Sequence, residues 1–185
     1  MENNCNYVCP VWMAYTFDNP LRRLIHNPAR MFKDYLKPGM QVLDLGCGMG
    51  FFSLAMAKIV GETGKVYAVD LQPGMLKQVR KRAQKRNLQN TIVTQTCQPD
   101  KINLTQKVDF ALAFWMIHET PDYKAFLRQI YELLNPGGIF FLADPKHHVS
   151  KKFFLQAITY AQNAGFRTEA SPKVNLSRAM VFLKP

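Results

Sequence analysis

Val42-Leu43-Asp44-Leu45-Gly46-Cys47-Gly48-Met49-Gly50 sets a carboxylate just ahead of three alternate glycines. The apolar Val42, Leu43 and Leu45 read as the end of a buried parallel strand, and Phe51 to Val60 as the helix that follows. Glycines at such a turn let the backbone approach a ligand closely, and the helix start behind them offers free N–H groups. The spacing is G-x-G-x-G, with Phe51 standing where a dinucleotide fingerprint would run on toward its last glycine. Asp44 at the loop entrance would repel a pyrophosphate but suits a ligand that carries an ammonium group.

S-adenosylmethionine (SAM) has that ammonium, together with a carboxylate that the helix end can receive, so the turn reads as a SAM site rather than an NAD site. A second acid agrees. Lys65-Val66-Tyr67-Ala68-Val69 reads as the next strand and ends at Asp70, about twenty residues past the last glycine, where an acid can accept both ribose hydroxyls of a nucleoside. An Asp in a turn more often only caps a helix or tightens a bend. Two such acids on consecutive strands favour the ligand.

Punctuation places the other elements. Asn19-Pro20 and Asn27-Pro28 each read as a cap followed by proline at the first helical position, which predicts short helices over Pro20–His26 and Pro28–Leu36. Gln72-Pro73 starts a helix that runs to Asn87, and Ile92–Gln95 and Val108–Phe114 are the third and fourth strands. Thr120-Pro121 caps a helix over Asp122–Leu134, which Asn135-Pro136-Gly137-Gly138 ends before a strand at Ile139–Ala143. Ser150 caps a helix over Lys151–Ala164, closed by Gly165, and Phe166–Ala170 with Arg178–Leu183 form a closing antiparallel pair. Strand and helix alternate as in a doubly wound, mostly parallel α/β sheet of seven strands. Ligands of such sheets sit at the C-terminal strand ends, so Asp44, Asp70, Gln98 and Phe114 should share one rim.

From Pro38 to Leu183 the chain resembles the class I SAM-dependent methyltransferases, in the small-molecule branch that includes quinone-biosynthesis and arsenite-methylating enzymes. The resemblance rests on Val42–Gly50, on Ala68-Val69-Asp70, on Val108-Asp109-Phe110-Ala111-Leu112-Ala113-Phe114 and on Leu134-Asn135-Pro136-Gly137-Gly138-Ile139-Phe140-Phe141. It implies a Rossmann-like fold with a short helical N-terminal cap, SAM as cofactor and S-adenosylhomocysteine as product. It also implies a cofactor site lined by Asp44, Leu45, Gly46, Cys47, Gly48, Gly50, Asp70, Leu71, Met75, Cys97, Gln98 and Phe114. The family commonly has an acid after the third strand, near the adenine amino group; here Cys97-Gln98 follows Ile92-Val93-Thr94-Gln95-Thr96, so Gln98 would offer a neutral amide oxygen.

Bulk properties bound the function. The 185 residues suit one catalytic domain over 38–185 behind an arm and cap at 1–37. No run of 18 apolar residues indicates a membrane span, the start Met1-Glu2-Asn3-Asn4-Cys5-Asn6 does not read as a signal peptide, and Cys5, Cys9, Cys47 and Cys97 form no C-x-x-C pair. A reducing, cytoplasmic setting without a protein-bound metal is expected. Much of the net charge of +11 lies in Lys77, Arg80, Lys81, Arg82, Lys85 and Arg86, on the outer face of a helix whose buried stripe is Met75, Leu76, Val79 and Ala83. A solvated surface explains these cations more simply than a phosphate-contacting RNA patch.

Phe114-Trp115-Met116-Ile117-His118-Glu119 runs off the fourth strand, and His118 is the candidate general base, with substrate orientation or a structural hydrogen bond as its other roles. In the resembled family this stretch often lines the cofactor without proton transfer. Asp144, His147 and His148 leave the fifth strand; isolated surface histidines are the simpler reading, a polar cluster with His118 is the alternative, and His147 is a candidate substrate contact. The arm Tyr7-Val8-Cys9-Pro10-Val11-Trp12-Met13-Ala14-Tyr15-Thr16-Phe17 is strongly apolar and is expected to close over the site, with Trp12, Tyr15 or Phe17 facing the sulfonium. Ordinary core packing or a homodimer interface are its alternatives. The expected function is methyl transfer to a small molecule. An RNA methyltransferase and a SAM-binding regulatory protein without turnover stay open.

Overall fold

Continuous apolar runs buried on both faces are what a parallel strand between two helical layers needs. The chain supplies them in β1 (Gln41–Leu45), β2 (Lys65–Asp70) and β4 (Val108–Phe114). In this computed structural model, which describes residues 21–185, they form the middle of a seven-stranded sheet. The remaining strands are β3 (Ile92–Thr96), β5 (Leu134–Pro145), β6 (Arg167–Ala170) and β7 (Ser177–Leu183), in the order β3-β2-β1-β4-β5-β7-β6. β1 to β5 are parallel, and β7 runs antiparallel between β5 and β6. The expected doubly wound, mostly parallel sheet is therefore the one observed.

The chain reverses its direction across the sheet between β1 and β4, the switch point at which such sheets open a crevice. Register sets the height of that rim. Leu45 is level with Val69 and Ala113, Asp70 with Thr96, and Phe114 with Ala143. Gly46, Asp70 and Phe114, each one step further on, stand at one level, and Asp144 follows one residue above.

Two short helices, α1 (Leu21–Ile25) and α2 (Pro28–Phe32), precede the sheet, and Asn27 caps α2 by accepting from the Arg30 N–H at 3.2 Å. With α3 (Phe51–Val60) and α4 (Pro73–Gln84), α2 covers one face, where Phe32, Phe52, Met56, Val79 and Phe110 are buried together. On the other face lie α5 (Tyr123–Leu133) and α6 (Lys151–Asn163), with Leu127, Ile130, Phe140, Phe154 and Phe182 in the core.

Several boundaries differ from expectation: α2 ends at Phe32 rather than Leu36, and three others differ for a clear local reason. α4 stops at Gln84 rather than Asn87, because Asn87 adopts φ +55° and the Leu88 N–H turns back to the Ala83 carbonyl at 2.9 Å. Asp122, not Thr120-Pro121, caps α5: its Oδ1 accepts from the N–H groups of Lys124 and Ala125 at 3.1 and 3.0 Å. The Thr120 hydroxyl instead donates to the Ile117 carbonyl at 2.7 Å. β5 begins at Leu134, directly after α5, because Leu134 pairs with Val108 and a bulge lies between Val108 and Phe110. Among the described residues no helix is long and apolar enough to cross a membrane.

Candidate active site

The glycine turn is shaped by two different demands. Gly46 has φ +63°, and a Cβ there would sit 2.7 Å from the Met116 Cβ, so the segment leaving β4 lies directly on the turn. Gly48 also has a positive φ, but a Cβ there would meet nothing within 4 Å, leaving an open face where a ligand can approach the backbone. Gly46→Ala is expected to lower the melting temperature and push Met116 off the turn; an unchanged melting curve with unchanged ligand affinity would refute that close approach. Cys47 between them is buried, its N–H donates to the Val69 carbonyl at 3.0 Å, and burial holds its thiol well above the ordinary range. A neutral, buried thiol fills space and is not a nucleophile.

The two acids of the motif have different surroundings. Asp44 is 2% exposed and accepts from the Ser53 hydroxyl at 2.5 Å. Burial pushes its carboxyl up to about 7; the Ser53 bond opposes this, the Asp70 charge adds to it, and Arg22 opposes it. Ser53 was not singled out from the sequence, although its place in the first turn of α3 is where a hydroxyl can reach back to β1. Asp70 accepts from the backbone N–H of Gly48 through Oδ2 and from that of Gln72 through Oδ1, both at 2.9 Å. Burial raises its carboxyl and these N–H groups oppose the rise. One side chain thus ties the glycine turn to the entrance of α4.

The remaining candidate positions surround this pair. Leu45 is buried at the end of β1, Leu71 is half-buried after Asp70, and Met75 is buried on α4. The Cys97 N–H donates to the Asp70 carbonyl at 3.1 Å, and its half-buried thiol is pushed up to about 11 by burial. Gln98 is exposed at the rim, its backbone N–H bonded to the Lys101 carbonyl at 2.8 Å. The Phe114 ring is buried between Phe52, at 4.5 Å, and Trp115, at 5.3 Å.

Beyond β4 the backbone turns sharply. Trp115 adopts φ +60°, rare for a bulky residue and a form of strain that clusters at functional sites. It is held there by its N–H on the Ala143 carbonyl at 2.7 Å and by its indole N–H on the Ser177 hydroxyl at 2.8 Å. A 3₁₀ turn, Ile117–Glu119, follows. His118 Nδ1 lies 2.8 Å from Asp144 Oδ1, and its ring meets that of His148 edge-on at 5.1 Å. A polar cluster with His118, rather than isolated surface histidines, is the arrangement found for Asp144 and His148. Asp144 is fully buried inside β5 and bonded to the imidazole, while His147 and His148 are exposed, His147 with its ring 6.1 Å from Trp115. Glu119 is half-buried and its carboxyl is pushed up to about 7, chiefly by burial; His118 opposes this, and the Asp70 and Asp144 charges add to it. The turn therefore lies within electrostatic reach of both strand-end acids.

The cap helices touch the same region. The Arg22 guanidinium stands 4.6 Å from the Phe51 ring and 5.9 Å from Trp115. His26 meets Phe114 and Trp115 edge-on and bonds the Asn175 carbonyl at 2.9 Å. Trp12, Tyr15 and Phe17 lie outside the described residues. The basic helix also departs from expectation at one point: Arg82 does not join the outer face but donates to the Met49 carbonyl at 3.0 Å, bracing the glycine turn.

A family profile described as a methyltransferase domain matches residues 36–173. The chain is 33% identical over 137 residues to the ubiquinone biosynthesis O-methyltransferase of Xanthomonas campestris pv. campestris, covering 71% of this chain and 54% of that protein. It is 28% identical over 104 residues to the demethylmenaquinone methyltransferase of Geobacillus stearothermophilus, covering 56% of this chain and 44% of that one. It spans about half the length of the curated relatives it matches. The crystal structure of a SAM dependent methyltransferase from Aquifex aeolicus superposes with a TM-score of 0.86 at 25% identity, covering 96% of this chain and all of that one. With a matching profile over most of its length and a near-complete superposition, the chain belongs to the methyltransferase domain family.

Proposed function

We propose that this protein transfers a methyl group from SAM to a small-molecule acceptor. The observation that carries the reading is Asp70 at the tip of β2, bonded to the Gly48 N–H beside the open face of the glycine turn. The donor set fits the ligand. Each Asp70 oxygen accepts one backbone bond and retains a lone pair for a ribose hydroxyl. The start of α3 can receive the ligand's carboxylate and Asp44 its ammonium, while Leu71, Met75, Cys97 and Gln98 are assigned to the adenine side. When bound, SAM supplies a sulfonium-activated methyl group, so the protein's task is alignment, worth roughly 7–11 kcal/mol when the reacting atoms are held in line.

Small-molecule transfer is favoured by the quinone-biosynthesis relatives. It is also favoured by Phe114-Trp115-Met116-Ile117 standing where base-amino methyltransferases of this fold often carry an Asn/Asp-Pro-Pro-Tyr turn. In this reading α1 and the turn after it cap the site, with Arg22 and His26 packed on the rings that border it. Incubation with methyl-labelled SAM and a fractionated cell extract tests the reading. Label in a low-molecular-weight fraction is expected. Label in RNA, weakened by charge reversal at Arg80 and Lys81, would replace it with RNA methylation, and tight SAM binding without any transfer would leave a regulatory protein.

A pH dependence follows from Asp44. Its carboxyl is neutral below about 7 and charged above. SAM affinity should therefore rise as pH climbs through about 7 and level off above it, with proton release on binding at lower pH. Calorimetry in buffers of different ionisation enthalpy measures that release; if Asp44→Asn shows the same pH slope, Asp44 does not meet the ammonium.

A further inference from the structure

Among the described residues, two buried polar side-chain atoms have no hydrogen-bond partner, His26 Nδ1 and Asp144 Oδ2. A carboxylate oxygen left so costs about 1–3 kcal/mol or more, and such a cost in a folded protein calls for an explanation. Asp144 is wholly buried at the end of β5, and its other oxygen accepts from His118 Nδ1 at 2.8 Å. A cation lies in register across the strand pair, since Asp144 faces Arg178 of β7. Arg178 nevertheless directs its guanidinium to the Val149 carbonyl at 2.8 Å and the Lys146 carbonyl at 3.5 Å. The Asp144 carboxylate is thus not shared with the arginine or with any backbone donor, and the imidazole receives its acceptor strength undivided.

This arrangement fixes which nitrogen of His118 carries the proton. Burial raises the Asp144 carboxyl and the bond and charge of His118 oppose the rise; the ionised carboxylate only accepts, so Nδ1 donates and Nε2 of the neutral ring is left with its lone pair. The ring sits on the turn that lies against Gly46 through Met116, and its neighbour Glu119 on that turn is within electrostatic reach of Asp70 and Asp144. The strained Trp115 backbone sets the start of that turn.

We propose that Asp144 is a positioning residue that holds His118 as the Nδ1-protonated tautomer, making Nε2 the proton acceptor, and that the methyl acceptor is a weakly acidic hydroxyl compound such as a phenol or enol. The inference rests on the methyltransferase reading and adds the class of acceptor. A neutral hydroxyl is a poor nucleophile until its proton leaves, whereas an amine attacks through a free lone pair and needs no base at that moment. In the step, the acceptor's O–H bond breaks and its proton goes to His118 Nε2. The oxygen's electron pair forms the bond to the methyl carbon, and the carbon–sulfur pair stays with sulfur, which leaves as a neutral thioether.

The groups facing the imidazole are Asp144 from β5, His148 from the loop after it and Glu119 from its own turn, so a pH profile alone would mix their titrations. The nitrogen-15 resonances of the imidazole separate them, because they report the tautomer directly and need no substrate. In the wild-type protein the neutral His118 ring is expected to show Nε2 unprotonated. Asp144→Asn, which can offer an amide N–H to Nδ1, should move the proton to Nε2 and lower kcat about tenfold or more, leaving the KM for SAM and the affinity for S-adenosylhomocysteine unchanged. His118→Ala should lower kcat on the order of 100- to 10,000-fold with S-adenosylhomocysteine affinity retained. Hydroxyl compounds should take up label where the matched amines do not. A wild-type protein that fails to bind S-adenosylhomocysteine overturns the methyltransferase reading and this inference with it. Intact binding with an unchanged tautomer in Asp144→Asn, or with full turnover in His118→Ala, overturns this inference alone.

Discussion

Replacing Asp70 with Ala is expected to weaken SAM binding at least about tenfold, because it removes one or two charge-assisted hydrogen bonds of about 1.5–3 kcal/mol each. The loss has a second source. Asp70 anchors the Gly48 and Gln72 amides, so the variant also frees the glycine turn from the start of α4. Asp70→Asn keeps one acceptor oxygen and should fall between the two. Titration calorimetry with S-adenosylhomocysteine measures the change on a stable ligand, and an unaltered affinity in Asp70→Ala would remove this residue from the binding site.

The second large effect is on stability. Phe32, the last residue of α2, has no exposed surface, and its ring meets Phe52, Phe110 and Phe141 edge-on at 5.6, 5.7 and 5.6 Å. Cutting it to Ala removes those contacts and leaves a cavity among three rigid rings, which should cost about 3–5 kcal/mol. For a domain of this size that corresponds to a fall of roughly 6–20 °C in melting temperature. The experiment also asks where the domain begins. If α2 is a detachable cover, the melting temperature barely moves; if the sheet needs it, the whole transition shifts, and only the segment before α2 is left to act as a cap.

How far the sequence could be read follows from the range of each interaction. The strand-to-helix turn, the apolar stripe of α4, the Asn27 and Ser150 caps and the closing antiparallel strands depend on neighbours within a few residues, and all were legible. The exchange of Thr120-Pro121 for Asp122 at the start of α5 shows where even local reading falters. Two oxygen-bearing side chains two positions apart are both competent caps, and the hydroxyl was taken by the turn before it.

The sequence by itself determined the order of elements, the sheet class and the placing of two acids at neighbouring strand tips, because periodicity and glycine spacing are properties of the chain alone. Tertiary structure decided the partners: Ser53 on Asp44, Arg82 on the Met49 carbonyl, and Asp144 on His118, 26 positions away. No local pattern encodes such pairs. They arise when strand register sets two residues at one height and the packing of each side chain turns its polar atoms toward the other, which only the folded sheet does.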